Sequence, residues 1–179
     1  MNKEKIIKIS KEILPYILII IFVLLLKSFI ITPIRVNGAS MDDTLKDKDI
    51  MILDKTKYRY SKIKRFDIVV VDIGTEKIIK RVIGLPGDYV EIKDGAVYIN
   101  GEKLQEDYLQ PGVVTDMHQA LGQEGNFTGF TVPENYVFCL GDNRTGSRDC
   151  RSFGCIPLEK IEGKVLFRFW PFSKFGGVK

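Results

Sequence analysis

From Ile13 to Ile34 the chain reads "ILPYILIIIFVLLLKSFIITPI", with Lys27 as its one charge. No other feature constrains the fold so tightly. As a helix rising about 1.5 Å per residue the run reaches about 33 Å, and the hydrocarbon core of a bilayer is about 30 Å thick. Apolar residues surround the helix axis, whereas a helix lying on a soluble core keeps a polar face. Lys27 lies about two turns from the far end, where its stem can extend to the interface. Lys3, Lys5, Lys8 and Lys11 precede the run, and the positive-inside rule keeps them in the cytoplasm. A cleaved secretory leader also starts basic, but its apolar core is about 7–15 residues and it ends in a small-residue cleavage site. This run is longer, and the following "TPIRVNGAS" offers only poor cleavage positions. The expectation is a cytoplasmic segment 1–12, a single-pass transmembrane anchor 13–34 and an extracytoplasmic domain 35–179.

The texture then changes to short runs rich in Val, Ile, Phe and Tyr, bounded by Gly, Pro, Asp and Asn. They are 49–54, 66–73, 77–85, 88–92, 96–99, 127–132, 135–140 and 163–170. In "KDGAVYINGE" Asp94-Gly95 is a hairpin turn between Val90–Ile92 and Val97–Ile99. No comparable helical period follows residue 34. This predicts a mostly β domain, a sandwich or folded barrel, on one transmembrane helix. Residues 109–129 form the one long polar stretch and read as an excursion loop.

Cys139, Cys150 and Cys155 are an odd set in an extracytoplasmic domain. They argue against a disulfide framework, although a Cys150–Cys155 bridge stays open. With no second cysteine pair and His118 as the only histidine, no metal or other cofactor is expected. The formal net charge of +4 owes much to the N-terminal lysines and points to a membrane surface rather than nucleic acid.

In "NGASMDDTL" (37–45), Ser40 stands between small residues close to the anchor's outer end. A nucleophilic serine needs a base. A Ser40–His118–Asp149 triad is conceivable, but His118 sits in the loosest part of the chain, without apolar neighbours to fix its ring. Lysine is the other known activator of serine, provided desolvation lowers its pKa from about 10.4. In "KIIKRVIGLPGD" alternation sets Ile78, Lys80 and Val82 on one face, and Ile79, Arg81 and Ile83 on the other. Lys80 is thus either a base flanked by β-branched residues or a water-facing edge lysine. The pattern alone leaves both open.

Four blocks, in order behind the anchor, resemble the type I signal peptidases, membrane-bound serine proteases with a Ser/Lys dyad. They are "GASMDDTL" (38–45), "KRFDIVVVD" (64–72), "IKRVIGLPGD" (79–88) and "GDNRTGSRDCRSFG" (141–154). The resemblance implies Ser40 as nucleophile, Lys80 as base and Ser147 hydrogen-bonded to Lys80. It implies an Asp149–Arg151 pair bracing the loop, with Gly141, Asp142, Asn143 and Arg144 as a supporting turn. It further implies signal peptides of exported proteins as substrates, cut after small residues at −1 and −3. The pockets for these would be lined by Ile34, Val36, Leu45, Met51, Val70, Ile78 and Ile79. Several departures stand out. Asp43 occupies a place where many members have proline. Gly38 replaces a hydroxyl that some members use at the oxyanion, which leaves the Ser40 N–H. Cys150 replaces a small hydroxyl residue. The chain has no room for a large second β domain and resembles the compact type. Self-cleaving Ser/Lys repressors carry a DNA-binding head where this chain has its apolar run. A purely binding β domain would not need Ser40, Lys80 and Ser147 together.

Overall fold

The computed structural model describes residues 3–29, 31–56, 63–116 and 129–178. His118, and with it the triad alternative, lies outside them.

Helix α1 spans Lys3–Phe29, and its side chains described over 11–24 are all exposed. Among the described residues no helix is long and apolar enough to cross a membrane. The far end of the expected 13–34 anchor is corrected. Ile31–Arg35 form strand β1, antiparallel to β2 (Ile50–Asp54), with Ile34 opposite Met51. Local chemistry explains the break. Pro33 cannot donate to a helical hydrogen bond, and Thr32, as the residue before it, is pushed toward extended backbone.

The remaining strands are β3 (Ile68–Asp72), β4 (Lys77–Gly84), β5 (Tyr89–Lys93), β6 (Ala96–Ile99), β7 (Glu102–Lys103) and β8 (Phe130–Thr131). They are followed by β9 (Tyr136–Leu140), β10 (Ile156–Pro157), β11 (Ile161–Trp170) and β12 (Gly176–Gly177). The larger sheet has the order β1-β2-β11-β3-β4-β9-β10, with β12 on β11. The smaller is β7-β6-β5-β8. The mostly β expectation holds. The β5–β6 turn is Asp94-Gly95, both with positive φ, and it sets Ile92 opposite Val97. Asn100-Gly101 repeats that geometry between β6 and β7.

Strand β3 explains why "IVVVD" is continuously apolar. Ile68 and Val70 enter one buried cluster with Val36, Met41, Leu45, Met51, Leu53 and Val165. Val69 and Val71 enter the other, with Val82, Phe138, Cys139, Leu140 and residues of the smaller sheet. A strand covered on both faces has no reason to alternate. Gly84 lets the two sheets meet, because a Cβ there would stand 2.9 Å from methyl carbons of both Val90 and Val132.

Candidate active site

Ser40 lies in the connection between β1 and β2. Val36 N–H donates to Asp49 O (2.8 Å) and Lys48 N–H to Val36 O (2.9 Å), which closes the base of the loop. Gly38 takes φ +88°, and its N–H is held by Asp47 Oδ1 at 3.0 Å. Beyond Ser40 the chain turns, with Leu45 N–H donating to Met41 O at 2.7 Å, and buried Met41 and Leu45 root the turn in the core. Thr44 is gripped from two strands. Its carbonyl accepts from Arg168 Nη2 (2.5 Å) and its hydroxyl from Arg81 Nη2 (3.2 Å). Arg168 also forms an ion pair with Asp49 at 2.9 Å, its Nε–H not aligned for a hydrogen bond. Asp43 has φ +89°. A proline ring cannot reach that angle.

Lys80 sits in β4 opposite Val69 and is 2 % exposed. The water-facing alternative is therefore excluded. Across β4 and β9, Arg81 opposes Leu140 and Val82 opposes Cys139. Continuing that register by one residue sets Lys80 opposite Gly141, on the same face. Among the described residues the Lys80 ammonium has no hydrogen-bond or ion-pair partner. Burial pushes its pKa below the usual lysine value, and the field of Asp149 opposes this more weakly.

Gly141 is where the site converges. A Cβ there would overlap both the Ser147 side chain and the Ser40 carbonyl oxygen. The Gly141 N–H donates to Asp149 Oδ2 (2.9 Å), and the Asn143 N–H donates to Ser40 O (3.1 Å). Asp149 is fully buried and caps the short helix α2 (Cys150–Phe153). It takes a two-pronged pair from Arg151, Nε to Oδ1 and Nη2 to Oδ2, both at 2.9 Å. Ser147 Oγ is buried without a hydrogen-bond partner among the described residues. The expected Ser147–Lys80 hydrogen bond is thus not formed, nor is one between Ser40 and Lys80. Unliganded sites often leave such bonds open until substrate arrives. Cys150, unexplained by sequence, uses its Sγ to accept the Cys139 N–H at 3.1 Å, and all three cysteines are free thiols. Among the described residues no group of His, Cys, Asp or Glu could hold a metal ion.

Of the seven pocket candidates, Val36, Leu45, Met51 and Val70 belong to one buried cluster, with Ile34 and Ile79 packed on it. Ile78 packs on the other cluster, because it points from the opposite face of β4.

The family model for signal peptidase, peptidase S26, matches residues 9–170. The chain belongs to the signal peptidase family S26. It is accordingly a serine-type peptide-bond hydrolase. Signal peptidase I of Bacillus caldolyticus is 38 % identical over 172 residues, covering 90 % of this chain and 91 % of that protein. Signal peptidase IB of Staphylococcus aureus (strain COL) is 37 % identical over 179 residues, covering 93 % and 94 %. A crystal structure of a signal peptidase I from Enterococcus faecalis V583 shares 35 % identity with a TM-score of 0.47, covering 58 % of this chain and 97 % of that one.

Around this candidate site stands a buried frame, of which sequence reasoning named only Arg81, as a strand residue, and Asp142 and Arg144, as turn residues. Arg81 makes a two-pronged pair with Asp142 (2.9 and 2.7 Å) and lies over the Tyr108 ring, 3.8 Å from its centroid. Arg144 donates to Gly141 O (3.1 Å), Glu106 (2.5 and 3.0 Å), Tyr108 Oη (3.1 Å) and the Thr115 hydroxyl. One signal was available: Arg81 lies mid-strand between apolar neighbours, so its charge required a buried anion.

Proposed function

We propose that this chain is a membrane-bound endopeptidase that removes N-terminal signal peptides from exported proteins by a Ser40/Lys80 dyad. The observation that carries the reading is Lys80, a buried lysine without a partner among the described residues, on the face of β4 that looks toward Gly141, where Ser40 and Ser147 converge. Burial lowers the Lys80 pKa and so raises the share of neutral amine that can take the Ser40 hydroxyl proton as Oγ attacks the scissile carbonyl. The Ser40 N–H stabilises the oxyanion. Collapse breaks the C–N bond and the Lys80 proton goes to the leaving amine, which leaves an acyl-Ser40. Lys80 then deprotonates a water that attacks the ester, and the proton returns to Ser40. Ser147 orients Lys80 when substrate fills the site, and the Asp149–Arg151 pair holds the loop that carries Ser147.

Substrates are signal peptides with small residues at −1 and −3. The Val36–Leu45–Met51–Val70 cluster, with Ile34 and Ile79 packed on it, would supply the apolar lining for those small residues. The anchor rests on sequence. Ile13–Phe29 is predominantly apolar with Lys27 as its one charge, near the lower limit of about 17–25 residues that span a bilayer. The lysines before it keep the N-terminus cytoplasmic and the catalytic domain outside.

The test is processing of a secretory precursor by purified full-length variants. Ser40→Ala and Lys80→Met should leave the precursor uncleaved, a loss of at least a thousandfold. Lys80→Met should melt no lower than the parent, because the thioether needs no desolvation of charge. Cleavage by either variant at the parental rate would end the dyad reading.

A further inference from the structure

We infer that Asn143 is the positioning residue that aims the Ser40 N–H at the substrate's carbonyl oxygen, an inference that rests on Ser40 being the nucleophile. In a trans peptide the C=O and the following N–H point in opposite directions across one plane. Whatever fixes the Ala39 carbonyl therefore fixes the direction of the Ser40 N–H. Asn143 Nδ2 donates to Ala39 O at 3.0 Å. The orientation of that amide is itself set, because its Oδ1 accepts from the Gly146 N–H (2.9 Å) and the Thr145 hydroxyl (3.4 Å). The Asp42 N–H also reaches Ala39 O, at 3.0 Å, but it belongs to the same turn and moves with it. Asn143 comes from the segment after β9, so it ties the turn to the strand beside β4, where Lys80 sits.

Two further observations raise the stakes of that aim. Among the described residues the Ser40 N–H has no acceptor, so it is free to meet an oxyanion. Gly38 brings no hydroxyl, and its own N–H is taken by Asp47 Oδ1. The Ser40 N–H is left as the local donor. Removing a whole oxyanion donor costs about a hundred- to a thousandfold in kcat, and a misdirected one loses part of that.

The test compares Asn143→Asp and Asn143→Ala with the parent, all as full-length protein in detergent. Asn143→Asp keeps the acceptor for Gly146 N–H and removes the donor; Asn143→Ala removes both without adding charge. Two probes share one peptide ending in alanine, as its aldehyde and as its alcohol. The aldehyde adds reversibly to Ser40: an Oγ–C bond forms, the carbonyl π bond opens, and the hydroxyl proton moves to the former carbonyl oxygen. That oxygen lies where the Ser40 N–H points; the alcohol forms no such bond. In both variants kcat should fall about ten- to a hundredfold with KM within about twofold. Aldehyde affinity should fall with kcat/KM, and alcohol affinity should hold. Parental kcat in Asn143→Ala would overturn the inference, as would a lost kcat with undiminished aldehyde affinity. An equal loss for both probes would also overturn it, because it marks a site loosened in general. If the parent itself forms no Ser40 adduct by mass spectrometry, the nucleophile reading falls and the inference with it. A parental adduct with unaffected variants removes the inference alone.

Discussion

At the scale of single residues, Lys80 carries the clearest pH signature. Burial holds its pKa below the usual 10.5, against the weaker pull of Asp149. As the proposed base, Lys80 would work only when neutral, so its active fraction would fall tenfold per pH unit below that pKa. A plot of log kcat/KM against pH should climb with unit slope and level off before pH 10.5. A profile flat between pH 6 and 10, or one still climbing at 10.5, contradicts a buried lysine base. The same shift has a sign in stability. Below the folded pKa the fold bears the cost of a buried ammonium, and the cost declines as pH rises toward the unfolded value. Lys80→Met should therefore gain most over the parent at neutral and lower pH. Asp43 offers a second test, since φ +89° is a conformation that glycine takes without strain and proline cannot take. Asp43→Gly should stabilise by up to about 1 kcal/mol in urea unfolding. Asp43→Pro should cost about 3 kcal/mol unless the turn rearranges.

At the scale of elements, β4 holds two buried cations back to back and treats them differently. The Lys80 ammonium has no partner among the described residues, whereas the Arg81 guanidinium is paired with Asp142 at 1 % and 0 % side-chain exposure. Alternation in "KIIKRVIG" was enough to place these two side chains on opposite faces, because a strand's period does not depend on what covers it. Asp142, 61 positions away, was read only as a turn residue, since no local pattern says which loop will fold over Arg81. Glu106 and Tyr108 escaped for the same reason, and Arg144, like Asp142, was read only as a turn residue. Strand β1 escaped for another reason: Ile31 and Ile34 carried the apolar run past Thr32-Pro33, where the helix-breaking proline was the local signal, and the pairing with β2 that makes it a strand has no local signature. Asp142→Ala should cost about 3–5 kcal/mol in urea unfolding, because it leaves a buried guanidinium uncompensated. A cost under about 1 kcal/mol would mean that water reaches Arg81.

At the scale of the whole molecule, an apolar helix meets a β domain with β1 as the join. From Ile13 to Leu24 the large apolar side chains of α1 are 46–67 % exposed, the surface that the proposed bilayer anchor would cover. The domain does not draw on that surface for its core. It does draw on β1, which pairs along β2 from Ile31 opposite Asp54 to Arg35 opposite Ile50. Ile34 also packs on the cluster containing Met51 and Leu53. Two truncations separate these roles. A chain starting at 30 should fold, melt like the domain of the full-length protein and cleave a short peptide substrate, because Ser40, Lys80 and Ser147 all lie beyond it. A chain starting at 36 strips the edge of β2 and loses the burial of Ile34. It should fall by about 2 kcal/mol or more and lose cleavage along with stability, since the loop carrying Ser40 would no longer be held at its first end. Thermal melts and peptide cleavage on the pair decide the matter. Equal melting of the two chains would mean that β1 belongs with the helix rather than with the catalytic domain.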